Sequence, residues 1–167
     1  MAVRPFAAED IPPLKAILEA TGVFRPEEID VAVELMEIVI EEPGQQDYLM
    51  YTGVDDAGQV QGYYCVGPTP MTERTYDLYW IAVNPAAQGR GFSRELLEHC
   101  IGLVAGRGGT KIIAETSSQP SYARTQAFYR KHGFVEEARI RDYYSKGDDL
   151  VVYTRVVQNK RDVRSET

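Results

Sequence analysis

Residues 88–93 read Gln88-Gly89-Arg90-Gly91-Phe92-Ser93 and join two stretches of opposite character. Before them an apolar, aromatic and β-branched run ends at Val83 and breaks at Asn84-Pro85; after them Leu96 and Leu97 begin a helical spacing. Strand, turn and helix start in that order can bind a phosphate. The first N–H groups of a helix have no intrahelical acceptor and carry a partial positive charge, and glycines let backbone approach an anion closely. Arg90 would add a charge-assisted contact. No Lys-Ser or Lys-Thr follows, so this is not a Walker loop, and no third glycine makes it a dinucleotide fingerprint. Other chemistries have few residues to draw on. Only His99 and His132 are present, both within helical patterns, and neither zinc-ligand spacing nor a Ser-His-Asp order results. Cys65 and Cys100 fall on apolar sides of a strand and a helix, where buried free thiols are expected.

The elements that must position this loop can be read along the chain. Residues 2–6 form an edge strand limited by Pro5, and Asp10 is placed to cap a first helix with Pro12-Pro13 in its opening turn. A second helix starts at Pro26, with Glu27 and Glu28 near its positive end, and stops at Pro43-Gly44. Strands over 48–54 and 60–66 make a hairpin through Asp55-Asp56-Ala57-Gly58, and Gly62 marks a bulge or a close backbone approach. A strand over 75–83, a helix over 91–105 and a buried strand over 111–115 follow. Next come a helix over 121–132, with Ala127 and Phe128 on its apolar side and Gly133 as its stop, and a last hairpin of 134–144 and 150–157. The order β-α-α-β-β-β-α-β-α-β-β predicts an α/β fold, a mixed sheet with helices on both faces, in one domain over residues 1–157. Residues 158–167 are polar and without periodicity, as in a disordered tail.

Two motifs together point to a family. Val83-Asn84-Pro85 with residues 88–93 resembles the pyrophosphate loop of the GCN5-related N-acetyltransferases, with Ser93 where the family has Gly or Ala. Tyr122 to Phe134, with Phe128-Tyr129 before a Gly133-Phe134 corner, resembles the family's distal motif. The resemblance covers residues 75–157; the N-terminal half matches only in element order. It implies a mostly antiparallel sheet splayed between its fourth and fifth strands, where the pantetheine arm of acetyl-CoA inserts. The backbone of Ile81, Ala82 and Val83 would pair with that arm, the Val83 N–H facing the thioester carbonyl, and Gln88, Gly89, Arg90, Gly91, Phe92 and Ser93 would hold the pyrophosphate. Tyr122 stands where the family often has an Asn that binds pantetheine; Ser117, Ser118 or Gln119 are possible replacements.

Acetyl transfer to an amine needs a proton for the leaving thiolate and a base for the incoming ammonium. By the resemblance Tyr129 is the general acid toward the CoA thiolate: with a phenol pKa near 10, against about 8.5 for a thiol, it is not ionised at neutral pH and can donate a hydrogen bond or a proton. The base is open between Asp77, at the strand position where several relatives carry Glu, and Glu115, at the end of the following strand. Tyr63, Tyr64, Tyr79, Trp80, Tyr143 and Tyr144 are many aromatics for such a cleft, and alternation assigns half of them to the core. Arg139, Arg141 and Asp142 suit a surface hairpin as well as a clamp for a substrate carboxylate.

The net charge of −7 disfavours nucleic acid and anionic membranes as partners. No leader pattern or membrane-length apolar run is seen, and a cytoplasmic protein is expected. The expected activity is acetyl-CoA-dependent N-acetylation of the primary amine of a small molecule or amino acid, with no metal; a homodimer is left open. The alternatives are a protein N-terminal or lysine acetyltransferase, and a non-catalytic acyl-CoA sensor.

Overall fold

The computed structural model describes residues 1–158, so the expected polar tail at 158–167 lies, but for its first residue, outside the described residues. The chain divides into two compact units, Met1–Pro68 with Tyr79–Cys100, and Thr69–Leu78 with Ile101 onward. The boundaries fall inside one strand and one helix, so each unit contains part of both.

The first unit contains β1 (Ala2–Pro5), α1 (Ile11–Ala20), α2 (Pro26–Glu41), β2 (Leu49–Val54) and β3 (Val60–Pro68). It also takes the later part of β4 (Thr75–Val83) and the first part of α3 (Phe92–Gly106). Its strand order is β1-β2-β3-β4, with β1–β2 and β2–β3 antiparallel. Leu14, Ile17 and Leu18 of α1 and Ile29, Ala32 and Met36 of α2 bury the faces that their helical spacing predicts, against Met50, Tyr63, Cys65 and Ala82. In the β2–β3 turn the Asp55 carboxylate accepts from the N–H groups of Ala57 and Gln59, each at 2.9 Å. A register shift at Gly53/Val54 supplies the local irregularity, while Gly62 serves close approach: a Cβ there would stand 2.4 Å from the carbonyl oxygen of Ala82.

Asp10 does not cap α1 as expected. Its side chain makes no cap bond; it is 1 % exposed and accepts two 2.8 Å bonds from Arg4, one of 2.9 Å from the Ala7 N–H and one of 2.9 Å from the Thr52 hydroxyl. The Pro12-Pro13 opening turn leaves fewer N–H donors to cap, and the carboxylate turns to a charged partner instead.

In the second unit the order is β4-β5-β7-β6, with β5 (Lys111–Ser117), α4 (Ala123–Lys131), β6 (Val135–Ser145) and β7 (Asp148–Val156). The parallel β4–β5 ladder has three pairs and ends at Asp77↔Ile113, although β5 continues to Ser117: this is the splay implied by the resemblance. Gly109 permits the turn from α3 to β5, since a Cβ there would meet Val104 at 2.4 Å and Tyr76 at 2.8 Å. The helix expected over 121–132 is shorter; residues Pro120–Tyr122 form a single 3-10 turn ahead of it. Ala127 is exposed rather than on the buried side, which is carried by Tyr129, and Gly133 ends the helix at φ 83°. Among the described residues no helix is long and apolar enough to cross a membrane.

Candidate active site

The residues expected to form a phosphate loop belong to the first unit. At the end of β4 the Asn84 side chain accepts from the Ala86 N–H at 3.1 Å and donates to Gln61 at 3.1 Å, while its own N–H donates to the Gln61 carbonyl at 2.7 Å. The strand is thereby stopped and turned through a 3-10 segment, Pro85–Ala87. Gly89 and Gly91 follow at φ 82° and 84°, both exposed. A Cβ on either would meet nothing within 4 Å, so glycine is required there by backbone conformation and not by space. Buried Phe92 then anchors the first turn of α3, and the intrahelical ladder begins with the Glu95 N–H donating to the Gly91 carbonyl at 3.0 Å. The N–H groups ahead of it form the kind of anion seat that the motif describes. Ser93 is half-buried and Gln88 exposed. Arg90 is exposed and its charge helps to hold the Asp55 carboxyl below its ordinary range, behind the Gln59 N–H and the Gln61 side chain as causes. Asp55 and Arg90, with Met1, Asp56, Ala57 and Phe92, line an open depression of about 360 Å³ whose two carboxylates do not suit a phosphate. Ile81 is half-buried, Ala82 and Val83 buried.

The acid–base candidates belong to the second unit and separate by face. Partners in an antiparallel ladder point the same way, so Ala114 shares one face of β5–β7 with Tyr153, and Glu115 shares the other with Val152. The Tyr129 ring lies 5.7 Å from that of Tyr153 and 5.1 Å from that of Phe134, and the Phe134 N–H donates to the Tyr129 carbonyl at 3.0 Å. Tyr129 therefore stands on the Tyr153 face, 5 % exposed in an aromatic cluster that fixes its ring. Asp77, opposite Ile113, stands on the Glu115 face. Burial, and then the charge of Asp77, push the Glu115 carboxyl above its ordinary range. The sequence left the base open between these two; the structure brings them into one electrostatic pair.

Ser117, Ser118 and Gln119 are engaged by the β6–β7 turn. Ser117 bonds to the Asp148 carboxylate. The Ser118 hydroxyl accepts from the Asp149 N–H at 2.8 Å, and the Ser118 N–H donates to the Asp149 carbonyl at 3.0 Å. The Gln119 amide donates to the Gly147 carbonyl at 3.2 Å. Tyr122 is half-buried and contributes to the surroundings of Tyr144. Arg139 is likewise engaged, by Glu136 at 2.7 Å and Asp149 at 3.2 Å, which removes it as a clamp for a substrate carboxylate. Of the other aromatics, Tyr63 and Tyr64 are fully buried, the latter hydroxyl 2.7 Å from His99 Nδ1, and Trp80 packs edge-on against Phe24 at 5.1 Å.

Sequence reasoning missed the shape of β6. The register runs to Ile140↔Leu150 and resumes only at Ser145↔Asp148, so residues 141–144 bulge out of the ladder opposite Asp149. Asp142 sits at φ 52°; its N–H donates to the Asp149 carboxylate at 3.0 Å, and its own carboxylate accepts from the Gly147 N–H at 2.7 Å. The bulge carries Tyr143 and Tyr144, rings edge-on at 4.9 Å. Burial pushes the Tyr144 phenol up to about 12, with Glu115, Tyr143, Asp148 and Tyr122 adding to the effect in that order. The signal in the sequence was Arg141-Asp142, two polar residues in a row that break the Arg139-Ile140-Arg141 alternation just before the tyrosine pair.

Comparison with known proteins agrees with both motifs. The acetyltransferase (GNAT) domain matches residues 46–136. A GNAT-family protein of known structure from Desulfovibrio desulfuricans is 40 % identical, covers 94 % of this chain and 99 % of its own, and superposes with a TM-score of 0.86. The N-alpha-acetyltransferase RimI of Mycobacterium tuberculosis is 33 % identical over 97 residues, 56 % of this chain and 57 % of that one. An aminoglycoside 6'-N-acetyltransferase complexed with coenzyme A, 17 % identical, shares the fold over 96 % of this chain and 99 % of its own, at a TM-score of 0.77. The chain spans between 30 % and 57 % of the length of the curated relatives it matches. A domain match over more than half of the chain and a 40 % identical structural relative agree with the loop and the Tyr129 corner: the chain belongs to the GCN5-related N-acetyltransferase family.

Proposed function

We propose that this chain is an N-acetyltransferase that moves acetyl directly from acetyl-CoA to the primary amine of a small molecule or amino acid. The observation that carries the reading is the two-faced arrangement in the second unit, with Tyr129 on one side of the β5–β7 ladder and Glu115 with Asp77 on the other. In direct transfer the amine nitrogen attacks the thioester carbon, a C–N bond forms, the C–S bond breaks, and acid and base serve different groups. Glu115, or Asp77 beside it, takes the proton that the ammonium must lose, directly or through water. Tyr129 supplies a proton or hydrogen bond to the departing thiolate. The left-handed Gly89 and Gly91 and the opening N–H groups of α3 fit a pyrophosphate, and the Val83 N–H would polarise the carbonyl. Cys65 and Cys100 are both buried, and burial pushes the Cys65 thiol up to about 12 and that of Cys100 higher still, which is the wrong direction for an acyl-carrying nucleophile. Two free thiols also suit the cytoplasmic location we assign.

Transfer to a protein N-terminus is the second reading, favoured by the 33 % identity to a protein named N-alpha-acetyltransferase. Incubation with isotopically labelled acetyl-CoA and a cell extract, read by mass spectrometry, separates the two. Label on small amines supports the first reading and label on peptides the second. Tyr129→Phe lowers turnover by about 10²-fold if the phenol is the general acid; equal turnover removes it from that role. Binding of acetyl-CoA without any labelled product overturns both readings in favour of a sensor.

A further inference from the structure

Gly89 and Gly91 are exposed, and a Cβ on either would meet open space, so the place of the phosphate loop is decided at its two ends. Buried Phe92 is one end. The other is Asn84, which three side chains in series connect to the β2–β3 turn. The Gln61 amide donates to the Asp55 carboxylate at 2.9 Å, the Asn84 amide donates to the Gln61 side-chain oxygen at 3.1 Å, and the Asn84 oxygen accepts from the Ala86 N–H at 3.1 Å. Asp55 is itself pinned by the N–H groups of Ala57 and Gln59. All of these residues belong to the first unit. Chemistry dictates the order of the bonds. A carboxylate only accepts, whereas a side-chain amide has one accepting oxygen and one donating NH2. Asp55 therefore takes the NH2 of Gln61, which leaves the Gln61 oxygen to face Asn84. Asn84 answers with its own NH2, and its oxygen is left for the Ala86 N–H. One anion thus orients two amides in succession and delivers an acceptor to the backbone that leads into the loop. The charge of Arg90, beyond the first glycine, also acts on Asp55, so the same carboxylate is tied to the loop from both directions.

We infer that Asp55, Gln61 and Asn84 are a directional hydrogen-bond relay that sets the position of the donor phosphate loop, with Gln61 as its central positioning residue. The inference rests on the acetyl-CoA reading of residues 88–93 and deepens it. Asp55 and Gln61 act through Asn84 and the backbone of residues 85–87. Donor affinity then depends on the direction in which the three side chains bond, and not on the sum of their charges.

The test is a swap of the pair. Gln61→Glu keeps an acceptor for Asn84 but removes the donor to Asp55 and sets two carboxylates together. Asp55→Asn keeps an oxygen for the Ala57 and Gln59 N–H groups but turns an NH2 toward that of Gln61. With both changes, position 55 donates to position 61, position 61 still accepts from Asn84, and the net charge is that of the wild type. Acetyl-CoA binding is measured by titration calorimetry, and transfer of labelled acetyl to a cell extract is followed against acetyl-CoA concentration. The expected result is an acetyl-CoA Kd at least about fivefold higher in each single variant, although their charge changes are opposite, and within about twofold of the wild type in the double variant. The half-saturating acetyl-CoA concentration should follow the Kd, while the rate at saturation stays within about twofold. Gln61→Met, neutral and of similar length, severs the relay without a second carboxylate and should weaken acetyl-CoA likewise, which keeps the test open if Gln61→Glu does not fold. Opposite shifts in the two single variants would mean charge alone and overturn the inference, as would a double variant at least as weak as either single one, or a wild type that binds no acetyl-CoA. Binding that follows the relay without any transfer upholds the inference and overturns the transferase reading. Transfer whose half-saturation ignores all of the variants does the reverse.

Discussion

Glu115 and Asp77 are two carboxylates of one strand pair, both proposed as the base. Glu115 is raised above its ordinary range by burial first and by Asp77 second, which brings a carboxylate closer to the proton affinity a general base needs near neutral pH. The sign follows directly. The base works deprotonated, so kcat/KM falls as pH drops through the raised pKa, above the value of about 4.3 for a free glutamate. Glu115→Gln should lower kcat/KM at neutral pH by about 10²-fold or more and remove that acid limb. Asp77→Asn takes away the neighbouring negative charge, so the limb should remain but move to lower pH. A pH profile of kcat/KM for the three proteins decides it: an acid limb unchanged in Glu115→Gln excludes that residue as the base, and a limb lost in Asp77→Asn transfers the role to Asp77.

The strand–loop–helix unit from β4 to α3 was legible in the sequence because its determinants are local. Asn84 stops the strand, Gly89 and Gly91 supply two left-handed residues within three positions, and Phe92 seats the helix. Since a Cβ at either glycine would meet open space, Gly91→Ala should be penalised through backbone alone, about 1–2 kcal/mol for holding alanine left-handed. The chain escapes that cost by moving the loop, so the acetyl-CoA KM should rise about tenfold while the amine KM stays; unchanged donor affinity would mean that the loop does not seat the pyrophosphate. Other features were illegible because their causes are remote. Asp10 has the look of a helix cap, and nothing nearby announces that Thr52, forty-two positions on, will donate to it. The β6 bulge is set by Asp149 reaching the Asp142 N–H across the hairpin, which strand alternation cannot foretell. The two tyrosines there are only two of six candidate cleft aromatics in the sequence until that register slip places them.

At the scale of the whole molecule, the carboxylate that stabilises the fold is not one of those proposed for the reaction. The chain carries a net charge of −7, and the acidic groups of the site gain nothing for the fold by being together. Asp10 is the opposite case. Burial pushes its carboxyl up, but the bonds from Arg4, the Ala7 N–H and Thr52 outweigh that, and its pKa lies below the ordinary value. It links β1, the segment before α1, and β2, adding side-chain bonds to the β1–β2 ladder in which Arg4 lies opposite Thr52. A carboxyl whose folded pKa is depressed contributes stability that is fully present above its unfolded pKa, about 3.9, and is lost as pH falls through the folded value. Asp10→Asn keeps the shape and leaves Arg4, 38 % exposed at its side chain, without its anion. The expected loss at pH 7 is about 1–2 kcal/mol, or about 3–6 °C in Tm for a chain of this size. Below about pH 4 the unfolded carboxyl begins to take up its proton and the wild-type advantage falls, to vanish below the depressed folded value, so the two melting temperatures should draw together at low pH. Thermal denaturation of both proteins at pH 7, 5 and 3.5 measures this, and a gap that stays constant across the series would mean that Asp10 stabilises by shape and not by charge.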